Sequence, residues 1–469
     1  MKKLIAPVCF ILSSFYFEEI TAQEYIGLRT DNYSGSNGML LNPASPLSGA
    51  LPWDINILAA GFSANNNYIY ASDQNTVSLI GSSDDKIPVA YYHPQKVYAY
   101  ENMFVQWPSA FVRINDLAVG LFFTTRSAGY LKSENYAPGV PSYDTIPFGV
   151  PADFPALNAG VINWHEIGVN GEMVLLESSS NAIYVGANIK YLMGMDGMDF
   201  NNHQQFTYTK GDPTSTITPV DMDFSYSTNF GSSKMAELSN YKINGSGLGF
   251  DAGIFYEIKD GSYDDIKNPA AYTWKLGASL LDIGFIHFKR NSGDYHLSST
   301  ETISISTASL DSIDDLDEFN FTGSRNLYDN SDASQTAQAF NMALPAAISI
   351  SADKNLGSGF FVNGLIVRRL PHINSSLTAR PNTIAISPRF EKRWFGFTLP
   401  VVLYEDKFLH LGTSARIGFL TVGSDNILSW FVKDDYTGTD IYAGVKINPF
   451  WLNKSPKSAR QLECPKVWK

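Results

Sequence analysis

Apolar and polar side chains alternate along most of this chain. In the fifteen residues Trp274–Phe288 (WKLGASLLDIGFIHF), Trp274, Leu276, Ala278 and Leu280 fall on one side of an extended backbone, with Lys275, Gly277 and Ser279 on the other. A period of two is that of a β-strand with one apolar face. The same reading sets Ile183, Val185, Ala187, Ile189 and Tyr191 against Tyr184, Gly186, Asn188 and Lys190. It sets Leu248, Phe250, Ala252, Ile254 and Tyr256 against Gly249, Asp251, Gly253 and Glu257. It also sets Leu411, Thr413, Ala415 and Ile417 against His410, Gly412, Ser414, Arg416 and Gly418. Ile167–Leu176, a polar turn at Glu177–Asn181 and the strand after it form a hairpin. Counted along the chain, the pattern gives about fourteen strands, within a range of about twelve to sixteen.

Other stretches break the pattern. Leu41–Gly49 (LNPASPLSG) is rich in turn formers and has no strand period, and Pro138–Pro155 holds five prolines and reads as a loop. Asn201–Lys234 carries short polar strands and reads as a part that projects beyond a membrane. Between His296 and Gln338, Leu310, Ile313, Leu316 and Phe319 fall at near-helical spacing among aspartates, which reads as a long loop with one short acidic helix. Asp425–Phe431 has helical character, with Ser424 or Asp425 available as its cap.

Alternating strands also build soluble sandwiches and solenoids. The leader, the lone cysteine of the mature chain, the aromatic load and the long regular hairpins together favour a membrane barrel. Met1–Ala22 has the form of a signal peptide, with Lys2 and Lys3 ahead of an apolar run too short to span a bilayer; cleavage after Ala22 leaves the net charge at −12. No later stretch reaches the 18 to 20 apolar residues a spanning helix needs, so a membrane route must be β. Phe 30, Tyr 25, Trp 8 and Gly 36 with only 17% charged residues suit a large sheet. The mean hydropathy of −0.11 is no objection, because polar lumen residues cancel lipid-facing ones in barrels. In hydrocarbon every backbone amide must be paired within the protein, so such a sheet has to close on itself. The expected fold is therefore an all-β transmembrane antiparallel β-barrel over residues 53–450, with an N-terminal plug over 23–52 and a polar tail over 451–469, located in the cell outer membrane. In that barrel Asn188, Lys190, Asp251, Glu257, Lys275, His410, Arg416 and Lys446 point into the lumen. They carry both signs and imply no single-sign selectivity ring. Tyr256, Trp274, Phe288, Trp394, Phe395 and Tyr404 lie near strand ends, as an aromatic girdle does.

Charge and cysteine content narrow the chemistry. An acidic balance argues against nucleic acid. Of the two cysteines Cys9 leaves with the leader and Cys464 remains alone, which excludes an internal disulfide or a cysteine zinc site in the mature chain. Cys9 also lies too early, without the small residue expected ahead of it, for a lipoprotein anchor. The seven histidines form no metal-spaced pair, and Asp311, Asp314, Asp315 and Asp317 lack the spacing of a calcium loop. Gly245, Gly247 and Gly249 alternate at a strand start and do not make a phosphate loop. His410 and Ser414 share a face, yet residues four apart on a strand are about 13 Å apart, too far for a nucleophile and its base. No cofactor, metal or catalytic residue is expected.

Four segments carry a family resemblance: LGASLLDIGFIHF (276–288), TVGSDNILSWF (421–431), DIYAGVKI (440–447) and LNPASP (41–46). In these the chain resembles an uncharacterised outer-membrane barrel family of the Bacteroidota, itself distantly similar to long-chain fatty-acid transporters and to barrel components of the type IX secretion system. The resemblance implies a barrel of about fourteen strands with an N-terminal segment folded inside. Asn42, Pro43 and Ala44 are the positions it assigns to a structural plug. The chain departs from barrels that finish on an aromatic. Tyr442, Gly444, Ile447 and Phe450 approximate a final-strand signal, with Pro449 in place of an aromatic, and the chain then runs on to Lys469. The functional expectation is a non-enzymatic outer-membrane protein, in contact with outer-membrane lipid, that admits or holds a hydrophobic small molecule. The alternative is a scaffold barrel whose long loops dock secretion machinery or surface proteins.

Overall fold

The computed structural model describes residues 24–81, 89–92, 96–134, 146–227, 242–259, 272–313, 315–370 and 380–449. The leader 1–22, the tail 451–469 with Cys464, residue Asp314 and the first half of the Pro138–Pro155 stretch lie outside the described residues.

The strands close into one ring. β1 (Trp53–Asn66) pairs with β2 (Lys96–Gln106, continued by Ser109–Ile114), followed by β3 (Leu117–Glu134), β4 (Leu157–Glu177) and β5 (Asn181–Asn202). β6 (Asp221–Ser227 and Gly245–Lys259) and β7 (Tyr272–Phe288, continued by Ser292–Ser298) come next. β8 (Gln335–Ala337, Phe340–Ala343, Ala347–Gly357), β9 (Phe360–Arg369) and β10 (Thr383–Glu391) continue the ring. β11 (Phe395–Thr398, Val401–Tyr404), β12 (Phe408–Leu411, Thr413–Ile417), β13 (Leu420–Ser424) and β14 (Gly438–Ile447) complete it. β14 returns to β1, as in Phe62 opposite Ile441, so the sheet is a closed antiparallel barrel of 14 strands. At one end the turns are tight, and Asn115, Ser358, Gly359 and Gly418 take the positive φ such hairpins need. At the other end long loops carry two small sheets and the helix Leu316–Tyr328, which Asp315 caps by accepting from the Glu318 amide at 2.9 Å. Short turns at one end and long loops at the other are the asymmetry also found in outer-membrane barrels.

Side-chain direction shows what the wall faces. On the lower part of β4, Glu166, Asn170 and Glu172 are buried while Ile167, Val169 and Met173 are exposed, the reverse of a water-soluble sheet. Such an exterior is stable in hydrocarbon, where apolar side chains lose nothing by exposure. Higher on the same strand the chemistry inverts. Leu157, Ala159, Ile162 and Trp164 are buried, and the outward neighbours are Asn158, Asn163 and His165. The change falls beside Trp107, whose indole NH donates to Thr125 at 2.8 Å and whose ring stacks toward Phe123, itself next to His165. Amphipathic rings of this kind sit where water meets hydrocarbon.

β7 departs from its expected single apolar face. Leu281 and Asp282 both point inward through a bulge, where the pairing with β6 jumps between Phe250 and Ala252 and Asp282 takes φ 55°. Past it Ile283 and Phe285 face out and Ile286 and Phe288 face in. Phe288 and Tyr404 are therefore interior residues and not girdle aromatics, whereas Trp274, Trp394 and Phe395 are exposed. Three further expectations change. Pro151–Phe154 of the proline-rich loop is a strand paired with Phe206–Thr209, because an X-Pro peptide tolerates extended backbone at a sheet edge. The loop expected to hold one acidic helix holds two, Thr307–Asp311 and Leu316–Tyr328, split around buried Ile313. Helix Leu428–Phe431 starts after Ile427, since Ser424 and the Asp425 amide are engaged by Asp440.

Candidate functional site

The interior is layered. Nearest the long loops, Met198, Phe200, Met222, Phe224 and Tyr226 form an apolar core that Leu316 and Phe319 of the loop helix help to cover. Below it Ile162, Trp164, Leu192, Ile286, Phe288 and Met342 form a second apolar layer. Charges follow directly beneath. The bulge at Asp282 aims its carboxylate into the barrel, where it takes both Arg126 guanidinium NH groups at 2.7 and 2.8 Å, Lys190 at 2.8 Å and Arg380 at 3.0 Å. Lys190 also meets Asp251 at 2.7 Å, and the Asp282 amide donates to Asp251 at 2.7 Å. Glu166 stands 3.6 Å from Arg126 and accepts from Thr124 and the Trp164 indole, while Arg126 lies over the Trp164 ring at 4.8 Å. Glu24 is 3.8 Å from Arg380. Three cations thus face four carboxylates in a buried slab, and each cation has a carboxylate within hydrogen-bond range, as burial of charge requires.

The N-terminal segment, residues 24–52, lies below this slab with nearly every side chain buried. It is built from three short helical turns, Ile26–Arg29, Gly35–Leu40 and Ser45–Ser48. Turns so short leave their backbone groups unpaired, and wall side chains take them up. Asp425 accepts from the Ile26 amide, Glu391 from Asn32, Asp54 from the Ser36 amide and Glu172 from the Leu47 amide. Arg113 and Lys446 donate to its carbonyls at Pro46 and Tyr33. Because these partners stand on β1, β2, β4, β10 and β14, with Asp425 just past β13, the segment is held across the interior. A polar cavity of about 40 Å³ remains between it and the wall, lined by Asp31, Ser45, Lys275 and Asp353 among others.

The sequence-derived residues fall into separate groups. Asn42 donates to the carbonyls of Ile254 and Ala278 at 3.2 and 3.3 Å, and its own oxygen takes the Ala44 amide at 3.0 Å. Asn170 donates to the Pro43 carbonyl at 2.9 Å. The close fit explains two wall glycines: a Cβ on Gly253 would stand 2.1 Å from the Asn42 side-chain oxygen, and one on Gly186 2.4 Å from the Pro43 carbonyl. Asn188, Lys190 and Asp251 meet in the charged slab, with Asn188 also reaching the Met39 carbonyl at 3.0 Å. Lys275 donates to Asn32 at 2.8 Å and Arg416 to Asp31 at 2.9 Å, so both engage the N-terminal segment. Glu257 is buried beside Tyr184, away from the slab. His410 packs edge-on against Tyr404, while Ser414 abuts Gly27, so neither serves the other. Among the described residues no group of three or more His, Cys, Asp and Glu is placed to hold a metal ion.

Arg126, Asp282, Arg380 and Glu24 escaped sequence reasoning. One signal was present: in Leu280-Leu281-Asp282 two large apolar residues fall side by side and break the period of two, which marks the bulge. Arg126 shares the phase of Thr124 on β3 and was equally legible. Arg380 and Glu24 lie outside any alternating strand and gave none.

Among solved structures, the toluene transporter TbuX of Ralstonia pickettii is 8% identical, with 88% of this chain and 92% of that one covered at a TM-score of 0.40. The P. putida toluene transporter TodX is 9% identical over 89% and 92%, at 0.39. A Pseudomonas aeruginosa FadL homologue is 8% identical over 90% and 95%, at 0.25. No curated protein matches the chain. One family model matches residues 108–425, more than half of the 469 residues. On that span the chain belongs to the family of unknown function DUF5723.

Proposed function

We propose that this protein is a non-enzymatic, integral outer-membrane barrel that takes up or holds a hydrophobic solute from the loop side, with residues 24–52 as the plug beneath it. The observation that carries the reading is the inversion of the lining. From the loops down to Trp164, Ile286 and Met342 two apolar clusters dominate the interior, with Asp196 buried between them beside Ser227, and the ion-paired slab lies only below them. A channel for ions or sugars has a polar interior along its length. Met198, Met222 and Met342 belong to the apolar layers, and unbranched methionine re-packs around guests of varied shape. The plug, bonded to the wall by polar groups, closes the path below.

The test is binding of the apolar fluorophore 1-N-phenylnaphthylamine to the purified protein, with mass spectrometry of co-purified lipid. Saturable binding that is lost in Ile162→Glu, while that variant keeps the electrophoretic heat-modifiability of a folded barrel, supports the reading. Absence of both probe binding and co-purified apolar solute overturns it. A stoichiometric protein partner without bound solute favours the scaffold alternative.

A further inference from the structure

The barrel wall is incomplete on one flank. β13 has only 5 residues, which at about 3.3 Å each and a tilt near 40° gives a height of about 13 Å, roughly half of an apolar band about 25 Å tall. Above Ser424 the upper part of β12, Phe408–Leu411, has no ladder to the upper part of β14, Gly438–Ile441; β12 pairs there only with β11, and β14 with β1. The chain fills this gap with a short helix. The Ile427 amide donates to the Leu411 carbonyl at 2.8 Å, and the Trp430 indole donates to the Asp440 carbonyl at 3.0 Å, so helix Leu428–Phe431 is fastened to both sides of the opening. A second helix, Thr76–Gly81, packs on it: Thr76 donates to the Ser429 carbonyl and Asn75 to the Phe431 carbonyl.

The outward faces of these two helices are apolar. Ile80 and Phe431 are each 69% exposed, and Val77, Leu428 and Val432 stand exposed beside them. Five large apolar side chains in one patch are costly in water. Their neighbours indicate what covers them. Leu409 and Leu411 on one side and Ile441 on the other are outward, exposed side chains of the strands. The polar rim on this flank, Arg368 with Asp406 and Arg369 with Glu405, lies above Leu409 at the β11–β12 turn. The helix at Leu411 height is therefore below that rim and continuous with the lipid-facing strand surface.

We propose that helices Thr76–Gly81 and Leu428–Phe431 are a lipid-contact surface: Val77, Ile80, Leu428, Phe431 and Val432 insert among acyl chains of the outer leaflet and replace the missing upper wall of β13. The inference rests on the membrane location proposed above and needs no solute. Backbone groups that helices this short cannot pair internally are taken up by neighbours, the Ser429 carbonyl by Thr76, the Phe431 carbonyl by Asn75 and the Ile427 amide by the Leu411 carbonyl, which is what allows non-strand structure at that depth.

The test places a nitrobenzoxadiazole label at Phe431→Cys, Leu409→Cys or Ser72→Cys, each with Cys464→Ser, in the full barrel reconstituted into phosphatidylcholine vesicles with or without acyl-brominated lipid. The expected result is that the label at 431 loses fluorescence to brominated lipid as the one at 409 does, while the label at 72 loses it to aqueous iodide instead. Quenching at 431 by iodide and not by brominated lipid overturns the proposal, as does protection from both quenchers. If the label at 409 also escapes brominated lipid, the membrane reading itself has failed. Ile80→Cys, in the other helix, repeats the measurement should the 431 variant not fold.

Discussion

Asp282→Asn isolates the charge at the centre of the buried slab. Asparagine occupies the left-handed region as readily as aspartate, so the bulge at φ 55° is kept and only the negative charge is lost. The structure sets the size of the effect. Lys190 retains Asp251 at 2.7 Å, but Arg126 is left with Glu166 at 3.6 Å and Arg380 with Glu24 at 3.8 Å, both beyond good hydrogen-bond range. Two guanidinium groups thus lose their short anionic acceptor. At about 1.5–3 kcal/mol for each of the two stranded guanidinium groups, the loss is about 3–6 kcal/mol, in line with about 3–5 kcal/mol for breaking a buried ion pair from one side. Urea unfolding in lipid vesicles, followed by tryptophan fluorescence and by heat-modifiability on gels, measures it. Arg126→Met combined with Asp282→Asn should recover part of the loss, because one stranded cation goes with the anion. An Asp282→Asn barrel within about 0.5 kcal/mol of the parent would refute the assignment of this slab as a mutually dependent network.

Deleting residues 24–52 should convert a barrel of low conductance in planar bilayers to an open one; unchanged conductance would count against the plug. Gly253→Ala, whose new methyl meets the Asn42 oxygen 2.1 Å away, should raise conductance partway. At the loop end of the barrel, burial alone would raise the Asp223 carboxyl, and hydrogen bonds from His203 and His296 at 2.7 Å more than offset it, so the group titrates below the ordinary aspartate range. Its stabilisation is therefore complete above the unfolded value of about 3.9 and is lost as pH falls through the lower folded value. Because the cluster is half exposed, the term is below about 1 kcal/mol. Pepsin should cut the loops after Asn202 and Ser298 faster as pH drops below that range, and Asp223→Asn should cut faster already above it; identical rates would remove the argument. Asp315→Ala removes the cap of helix Leu316–Tyr328 at a cost of about 1 kcal/mol, seen as faster proteolysis within that helix and no change in barrel unfolding.

The barrel was legible because its period of two is dictated by the pleat and is written in every strand, including the tight-turned hairpin at Glu177–Asn181. Strand number followed from the same signal. The interior was legible only as a list of inward residues. Alternation places Asn188, Lys190 and Asp251 on one surface but carries nothing about which strands stand opposite across a closed sheet. That depends on ring closure between β1 and β14, nearly four hundred residues apart in the chain. The inversion of the lining was missed for a related reason: Leu157–Trp164 shifts phase at Val161–Ile162, and period alone does not say whether water is inside or outside. Loop helices were half legible, since Ile313 and Leu316 are buried as the spacing suggested although Ile313 lies in the link between the two helices and Leu316 starts the second.

The swap between His165 and Ile167 on β4 has one more consequence. With the barrel standing in a membrane as proposed, a single unbroken ribbon passes from one solvent to another there, so tolerance to substitution should reverse across two positions of the same face. Outward of Trp164 a charged replacement costs the fold little, while at Val169 it has to be dragged into oil. Scanning one strand with a single charged residue would thus draw the waterline on the molecule and fix how far its rim stands clear of the cell surface.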